Sequence, residues 1–455
     1  MAKKKQDLTP EERLAAALVP EEEWPYALPD GWKWVYWGKC GDFIAGTGFP
    51  KLYQGIIGEK YPFYKVGSLR SIDADGYLMD NQHSIDDKIL LKIKAKKIEP
   101  NSIVFAKIGE AIKLNRRGLT KQVCCVDNNM MAFQADKNLL DYHYVYYWST
   151  GIDLYKYTNA TTVPAIRKTD LEKIVFPLPP LSEQRRLVAR IESLFAKLDA
   201  AREKVQSVLD SHEPRKAALL HDAFTGKLTA KWRKEHQTEL RESKQFPSKL
   251  KSAPSHVDAL AGKWALVRLG DVITWSSGGT PSRKHPEYYS GDIPWVKTGE
   301  LNNTYIYDTS EKITKDAIAQ SSAKALPVNT VLLAMYGATI GKVGILGVEA
   351  ATNQACACGI CSEWVDHRFL FYYLQSQKSS FIRSGKGGAQ PNISQTIIKQ
   401  HEFPLPSLPE QQEIVRILGR LLAREQRARQ TAEETLAAID RMKQSILARA
   451  FRGEL

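Results

Sequence analysis

Cys356, Cys358 and Cys361 are the residues whose type and spacing come nearest to a metal site. Their C-x-C-x2-C spacing is not a standard zinc pattern and has no matching second pair. The nine histidines include no H-x3-H pair. We read the cysteines as core residues and expect no metal in this chain. Gly337-Ala338-Thr339-Ile340-Gly341-Lys342 is faintly like a phosphate-cradling loop. It has one residue too few between its glycines, and Val343 stands where a hydroxyl is required. We read it as a glycine-rich turn. What remains is positive charge: 64 Lys and Arg against 51 Asp and Glu, a net +13. That balance favours a polyanionic partner, nucleic acid first.

Phosphate contacts need Lys, Arg or open backbone amides, and base edges favour Arg, Lys, Asn, Gln, Ser and Thr. Two small, polar segments fit. One is residues 158–164, with Thr161 and Thr162; the other is residues 385–392, with Lys386, Gln390 and Asn392. Further candidates are Lys65, Lys107, Lys113, Arg116 and Arg117 in the first half, and Arg283, Lys284, Lys297 and Lys342 in the second. Lys65 and Lys297 follow similar segments, Pro62-Phe63-Tyr64 and Pro294-Trp295-Val296.

The elements that carry these residues occur twice. PLPPLSEQRRLVARI at 177–191 returns as PLPSLPEQQEIVRIL at 404–418, 227 positions later, and Ala223-Phe224-Thr225-Gly226-Lys227-Leu228 returns at the same offset as Ala450-Phe451-Arg452-Gly453-Glu454-Leu455. A repeat that keeps its spacing between two matching ends is one structural element used twice. The parts before it repeat less closely: Trp32–Gly38 with Trp264–Gly270, and Asn101–Gly109 with Asn329–Gly337. There, short apolar runs cut by Gly, Asn and Pro predict α+β heads. The aromatic runs Tyr142–Trp148 and Arg368–Tyr373 predict a buried helix in each.

The tail segments predict long helices. Leu187, Ile191, Leu194, Leu198, Ala201, Val205 and Val208 step by four and three, a heptad seam. The second seam runs Ile414, Leu418, Leu421, Glu425, Ala428, Ala432, Thr435, Ile439, Met442, Ile446. Pro214 should bend the first helix near its end. At about 44 residues, each helix would span about 65 Å. Thr9-Pro10-Glu11-Glu12 is a capping box that predicts a helix to about Leu18. The expected divisions are an N-terminal helical arm (1–25), a first head (26–176), a long helix (177–226), a basic, exposed linker (227–260), a second head (261–403) and a second long helix (404–455). No membrane span or signal peptide is evident, which gives a cytoplasmic address by default.

The paired PLPPLSEQ and PLPSLPEQ openings, the long helices behind them and the AFTGKLTAKW and AFRGEL closings resemble the specificity subunit of a type I restriction–modification enzyme. The resemblance covers about Trp32 to Leu455. It implies two mixed α/β target recognition domains in pseudo-two-fold arrangement, separated by an antiparallel coiled coil. Leu187, Ile191, Leu194, Leu198, Val205, Ile414, Leu418, Leu421 and Ile439 would line that coil. It further implies that each head reads one half of a split, asymmetric site in double-stranded DNA. Two methyltransferase subunits and added restriction subunits are the implied partners, and S-adenosylmethionine, ATP and magnesium belong to them. The chain itself has no Asn/Asp-Pro-Pro-Tyr/Phe run of the kind adenine methyltransferases carry. Two alternatives stay open from the residues alone: a coiled-coil scaffold that never reads DNA, and an enzyme with an unfamiliar site.

Overall fold

The computed structural model describes residues 9–159, 163–242, 264–385 and 392–455. It divides into two compact units, Met1–Val205 with Glu434–Leu455, and Gln206–Glu433.

In chain order the first unit runs α1 (Pro10–Ala15), β1 (Lys33–Tyr36), β2 (Gly41–Ala45), β3 (Tyr61–Tyr64), β4 (Ser84–Ile85), α2 (Asp87–Lys92), β5 (Ile103–Ala106), β6 (Arg117–Leu119), β7 (Cys125–Val126), β8 (Met130–Ala135), α3 (Tyr142–Thr150), β9 (Thr158–Asn159), β10 (Ala165–Ile166), α4 (Lys168–Glu172) and β11 (Val175–Leu178), then enters α5 (Leu181–Asp210). The second continues with α6 (His212–Phe224), α7 (Ala230–Glu235), α8 (Gln237–Glu242), β12 (Ala265–Arg268), α9 (Leu269–Val272), β13 (Ile273–Ser277), β14 (Ile293–Val296), β15 (Tyr305–Ile306), β16 (Lys312–Ile313), α10 (Lys315–Ala319), β17 (Val331–Ala334), β18 (Val343–Leu346), β19 (Ala351–Thr352), β20 (Cys356–Cys361), α11 (His367–Ser376), α12 (Lys378–Ser384), α13 (Gln395–Gln400) and β21 (Glu402–Leu405). Helix α14 (Leu408–Ala450) gives its first part to the second unit and its last part to the first.

Both heads share a plan of three sheets, with one more strand in the main sheet of the second and an added β9-β10 pair in the first. The main sheet is β2-β8-β5-β6 in the first and β13-β20-β17-β18-β15 in the second; a three-stranded sheet is β4-β3-β7 and β16-β14-β19; a pair is β1-β11 and β12-β21. Each three-stranded sheet has its own small core, around Phe63 and Ile85 in one head and Trp295 and Ile313 in the other. The main cores differ in filling. Phe43 pairs across the sheet with Phe133, their rings 4.9 Å apart. In the second head Trp275 pairs with Gly359, and a β-carbon at Gly359 would lie 3.1 Å from the Trp275 ring. One large and one absent side chain stand where the first head has two rings, so the two cores are filled differently.

The repeated opening forms the joint between head and helix. Gln184 is fully buried: its Oε1 accepts from the Asp141 N–H at 2.8 Å, and its Nε2 donates to the carbonyls of Leu139 at 3.0 Å and Pro179 at 2.9 Å. Gln411, also fully buried, accepts from the Asp366 N–H at 2.9 Å and donates to Trp364 at 2.8 Å and Pro406 at 2.9 Å. Asp141 and Asp366 are the N-caps of α3 and α11. Each glutamine therefore fixes the aromatic helix of its head to the proline turn that opens a long helix. The repeated closing packs at the same place. Phe451 lies 5.2 Å from Tyr144 in the first unit, and Phe224 lies 5.2 Å from Phe369 in the second. Gly453 and Gly226 end their helices at φ +75° and +76°, a conformation that favours glycine.

The helices pair antiparallel within each unit. In the first, Asp199 meets Lys443 at 2.6 Å and Arg202 meets Asp440. In the second, Arg215 meets Glu425 at 2.7 Å. Leu187, Ile191, Ile414 and Leu418 are buried, but in the head cores, so the seam starts as a helix–head contact. Leu194, Leu198, Val205 and Leu421 are half-buried, and Ile439 is buried. Met442 departs from expectation at 52% exposed. The stripe has passed to Lys443, whose ammonium lies 4.9 Å from the Phe195 ring. A strict heptad drifts around a 3.6-residue helix, and here it has drifted by one position. Pro214 has no N–H to give the Asp210 carbonyl, and the helix breaks at Ser211 between α5 and α6.

Two expectations need correction. The Thr9 capping box forms, but α1 stops at Ala15 because the next residues extend β1: Leu18 bridges Val35, and the Val19 N–H donates to the Trp34 carbonyl at 3.0 Å. The segment expected to be an exposed linker from Lys227 is folded at its start. Thr229 is buried, and its hydroxyl donates to Glu410 at 2.7 Å; Arg233 reaches the same carboxylate at 2.8 Å. Glu410 is 2% exposed, and a buried carboxylate requires such partners. No helix among the described residues is long and apolar enough to cross a membrane.

Replacing Gln184 or Gln411 by Ala leaves one N–H and two carbonyls buried without partners. Each variant should lose about 3 kcal/mol, read as a lower urea or thermal midpoint. An unchanged midpoint would show that the joint does not depend on the glutamine.

Candidate nucleic-acid interface

The sequence candidates gather on two features of each head. The first is the β5–β6 hairpin and its counterpart β17–β18. In the first head Gly109, at φ +89°, opens a short turn that ends at Asn115 in the left-handed region, φ +50°. The turn is tied to the strand entering α4: the Gly109 N–H donates to the Pro164 carbonyl at 2.8 Å, and the Ile166 N–H to that of Lys107 at 2.9 Å. The hairpin thus gathers Lys107, Lys113 and Arg116 near Pro164 and Ile166; Thr161 and Thr162 lie outside the described residues. Lys113 pairs with Glu110 at 2.6 Å, with its ammonium 5.1 Å from the Tyr155 ring. Arg116 is exposed.

Arg117 is turned inward and is not available to phosphate. It is 4% exposed and donates to the carbonyls of Ser149 at 3.2 Å, Ile152 at 3.0 Å and Arg116 at 3.2 Å, and to Asn115 Oδ1 at 3.0 Å. Burial pulls its pKa down to about 10. Its acceptors include carbonyls at the C-terminal end of α3, where a cation is favoured. Arg116, in the turn just before β6, stays outside.

The second head places Lys342 and Asn392 at its hairpin. The Ile393 N–H donates to the Met335 carbonyl at 3.0 Å, and Asn392 bridges Tyr336. Gly337 and Gly341, at φ +59° and +79°, make the turn between strands. No helix follows this turn as one follows a phosphate loop, which agrees with the sequence reading. Lys386 and Gln390 lie outside the described residues.

The second feature is the turn after β3 and β14. Lys65 and Lys297 hold equivalent places there. Lys65 donates to Gln54 Oε1 at 2.9 Å. Asp127, buried beside Lys65 and Lys107, is raised by burial, against the pull of both lysines. In the second head Lys297 and Arg283 share the Glu311 carboxylate, at 2.9 and 2.6 Å, and Arg283 lies 3.9 Å from the Tyr289 ring. The hydrogen bonds from Lys297 and then Arg283 hold Glu311 below the usual carboxylate range. Lys284 is exposed next to them. These cations sit on a framework of fixed partners, an arrangement that presents charge at defined points.

Cys356, Cys358 and Cys361 lie on one strand, β20. Cys356 and Cys358 are buried on β20, and burial raises the thiols of Cys358 to about 11 and Cys361 to about 12. Thiols are poor ligands until deprotonated. Among the described residues no group of three His, Cys, Asp or Glu could hold a metal ion. Sequence reasoning passed over Tyr336, 45% exposed at the second hairpin. The signal was an aromatic directly before a glycine turn.

A family model described as "Type I restriction modification DNA specificity domain" matches residues 29–209 and 261–434. Among curated relatives, the EcoBI specificity subunit of Escherichia coli is 27% identical over 313 residues, 66% of this chain and 62% of its own length. The matched region is thus under two thirds of that relative. The MjaVIII specificity subunit of Methanocaldococcus jannaschii is 24% identical over 400 residues, 84% of each chain. Among solved structures, a chain from work on complex assembly and conformational transition of the type I R-M system has a TM-score of 0.70 at 20% identity, covering 95% of this chain and all of its own. The HsdS subunit from Thermoanaerobacter tengcongensis has a TM-score of 0.57 at 20% identity, with the same coverage. At that identity these neighbours establish the fold.

Arg116 and Arg117 should separate cleanly. Arg116→Ala should lower the slope of log affinity against log salt for duplex DNA by about one, with the thermal midpoint unchanged. Arg117→Met should leave the slope alone and cost roughly 2–3 kcal/mol of stability. The reverse pattern would overturn the assignment of inside and outside.

Proposed function

The chain belongs to the type I restriction–modification DNA specificity family, and on that premise we propose that it is the non-catalytic recognition subunit of such a complex. Each head reads one half of a split, asymmetric site in double-stranded DNA. The paired helices set the gap between the halves. The subunit docks two methyltransferase subunits, which transfer a methyl group from S-adenosylmethionine to adenine N6, and through them restriction subunits that use ATP and magnesium.

The observation that carries this reading is the contrast between parts. The two joints repeat hydrogen bond for hydrogen bond, at Gln184 and at Gln411. The heads keep their sheets but differ in surface chemistry: Lys107 and Arg116 stand at one hairpin, Tyr336 and Lys342 at the other. Conserved joints suit identical partner subunits, and different surfaces suit different half-sites. A scaffold with no sequence to read gives no reason for that contrast. Basic side chains on loop hairpins fit phosphate positioning with base readout between.

Co-expression with the methyltransferase subunit from the same locus, followed by mapping of N6-methyladenine across the host genome, tests this. A split motif with unlike halves is the expected result. The absence of new methylation from a complex shown to assemble would sink the reading.

A further inference from the structure

We propose that Tyr336 is a specificity-determining contact of the second head, its ring packed against bases of the half-site that head reads. This rests on the reading that the heads contact DNA. Tyr336 follows β17 at the start of the hairpin turn and is 45% exposed. Its backbone is held from both sides. The Met335 N–H donates to the Ala355 carbonyl at 2.9 Å, and the Met335 carbonyl accepts from the Ile393 N–H at 3.0 Å. The Tyr336 carbonyl accepts the Thr339 hydroxyl at 2.7 Å, and Asn392 bridges Tyr336 itself. A large ring is therefore offered to solvent from a fixed main chain.

Such a ring gives up little conformational freedom on binding, because few torsions remain to be frozen. Its partner should offer an apolar surface beside negative charge. The neighbouring Lys342 supplies a cation two residues beyond Ile340, and Gly337, where a β-carbon would meet nothing within 4 Å, leaves room for close approach. Duplex DNA meets that description: its phosphates carry the charge, and an apolar ring in the major groove packs against a thymine methyl. The position is also head-specific. Its counterpart by sequence is Ile108, half-buried beside the first hairpin and bridged to Ala165. An aromatic contact exists in one head alone at this place, so its loss should damage one half of the motif.

The test uses the full complex with methyltransferase, on duplex libraries randomised in one half-site at a time. Wild type, Tyr336→Ala, Tyr336→Phe and Tyr307→Ala are compared. Tyr307 is 66% exposed in the same head and controls for loss of a surface tyrosine. Tyr336→Ala should cut discrimination in one half-site about tenfold and leave the other half-site as in wild type. Tyr336→Phe and Tyr307→Ala should keep wild-type discrimination in both. The proposal is overturned if Tyr336→Ala reads both halves normally, if it weakens both halves together with a lower thermal midpoint, or if Tyr336→Phe is as impaired as the alanine. A wild-type complex that shows no split motif would instead refute the functional reading beneath it.

Discussion

A buried polar side chain must have its hydrogen bonds or not be there. That constraint shapes both units of this protein at one residue. Gln184 and Gln411 are fully buried, and each places its amide oxygen and both amide hydrogens on main-chain groups. An apolar residue there would leave a helix N-cap amide and two carbonyls unpaired. A shorter polar residue could not span from the proline turn to the N-cap. The proline turn, the long helix it opens and the aromatic helix of the head are thus positioned by one side chain. The closing segments add the apolar half of the joint, with Phe224 and Phe451 on matching rings.

Much of this was legible in the sequence, for a physical reason. A joint built by one side chain and fixed main-chain groups tolerates no change of length, so the repeat kept its spacing and could be read by eye. The heptad steps, the break at Pro214 and the aromatic helices were legible in the same way, since each is local. The failures came where distant groups decide. Arg117 is separated from Ser149 and Ile152 by β7, β8 and most of α3, and nothing in its neighbours marks it as internal. Thr229 and Arg233 read as polar linker, because Glu410 lies far away in sequence. Leu18 left its helix for the free edge of β1, which no local propensity reports. Met442 was placed by a strict count that a real helix does not keep.

The two heads show what is free to vary. Their strands pair in the same order, yet Phe43 with Phe133 has become Trp275 with Gly359. Such exchanges leave the strand pairing in place while the core is filled by other side chains. The surface hairpins carry no such debt to a core. They differ in length, charge and aromatic content while their anchors to the neighbouring strand persist. Candidate contacts were therefore the least legible part of the sequence: their identity is set by a partner, and no periodicity or spacing encodes it.

The glutamine joint has one more consequence. Its partners within the head are an amide hydrogen at Asp141 and a carbonyl at Leu139, and their equivalents at Asp366 and Trp364. Leucine and tryptophan serve equally, because only their backbones are used. A foreign head needs to bring no matching side chain to that hydrogen-bonded seat, only a helix that begins at the right residue. That seat therefore constrains a head in where its helix begins and leaves its side chains free.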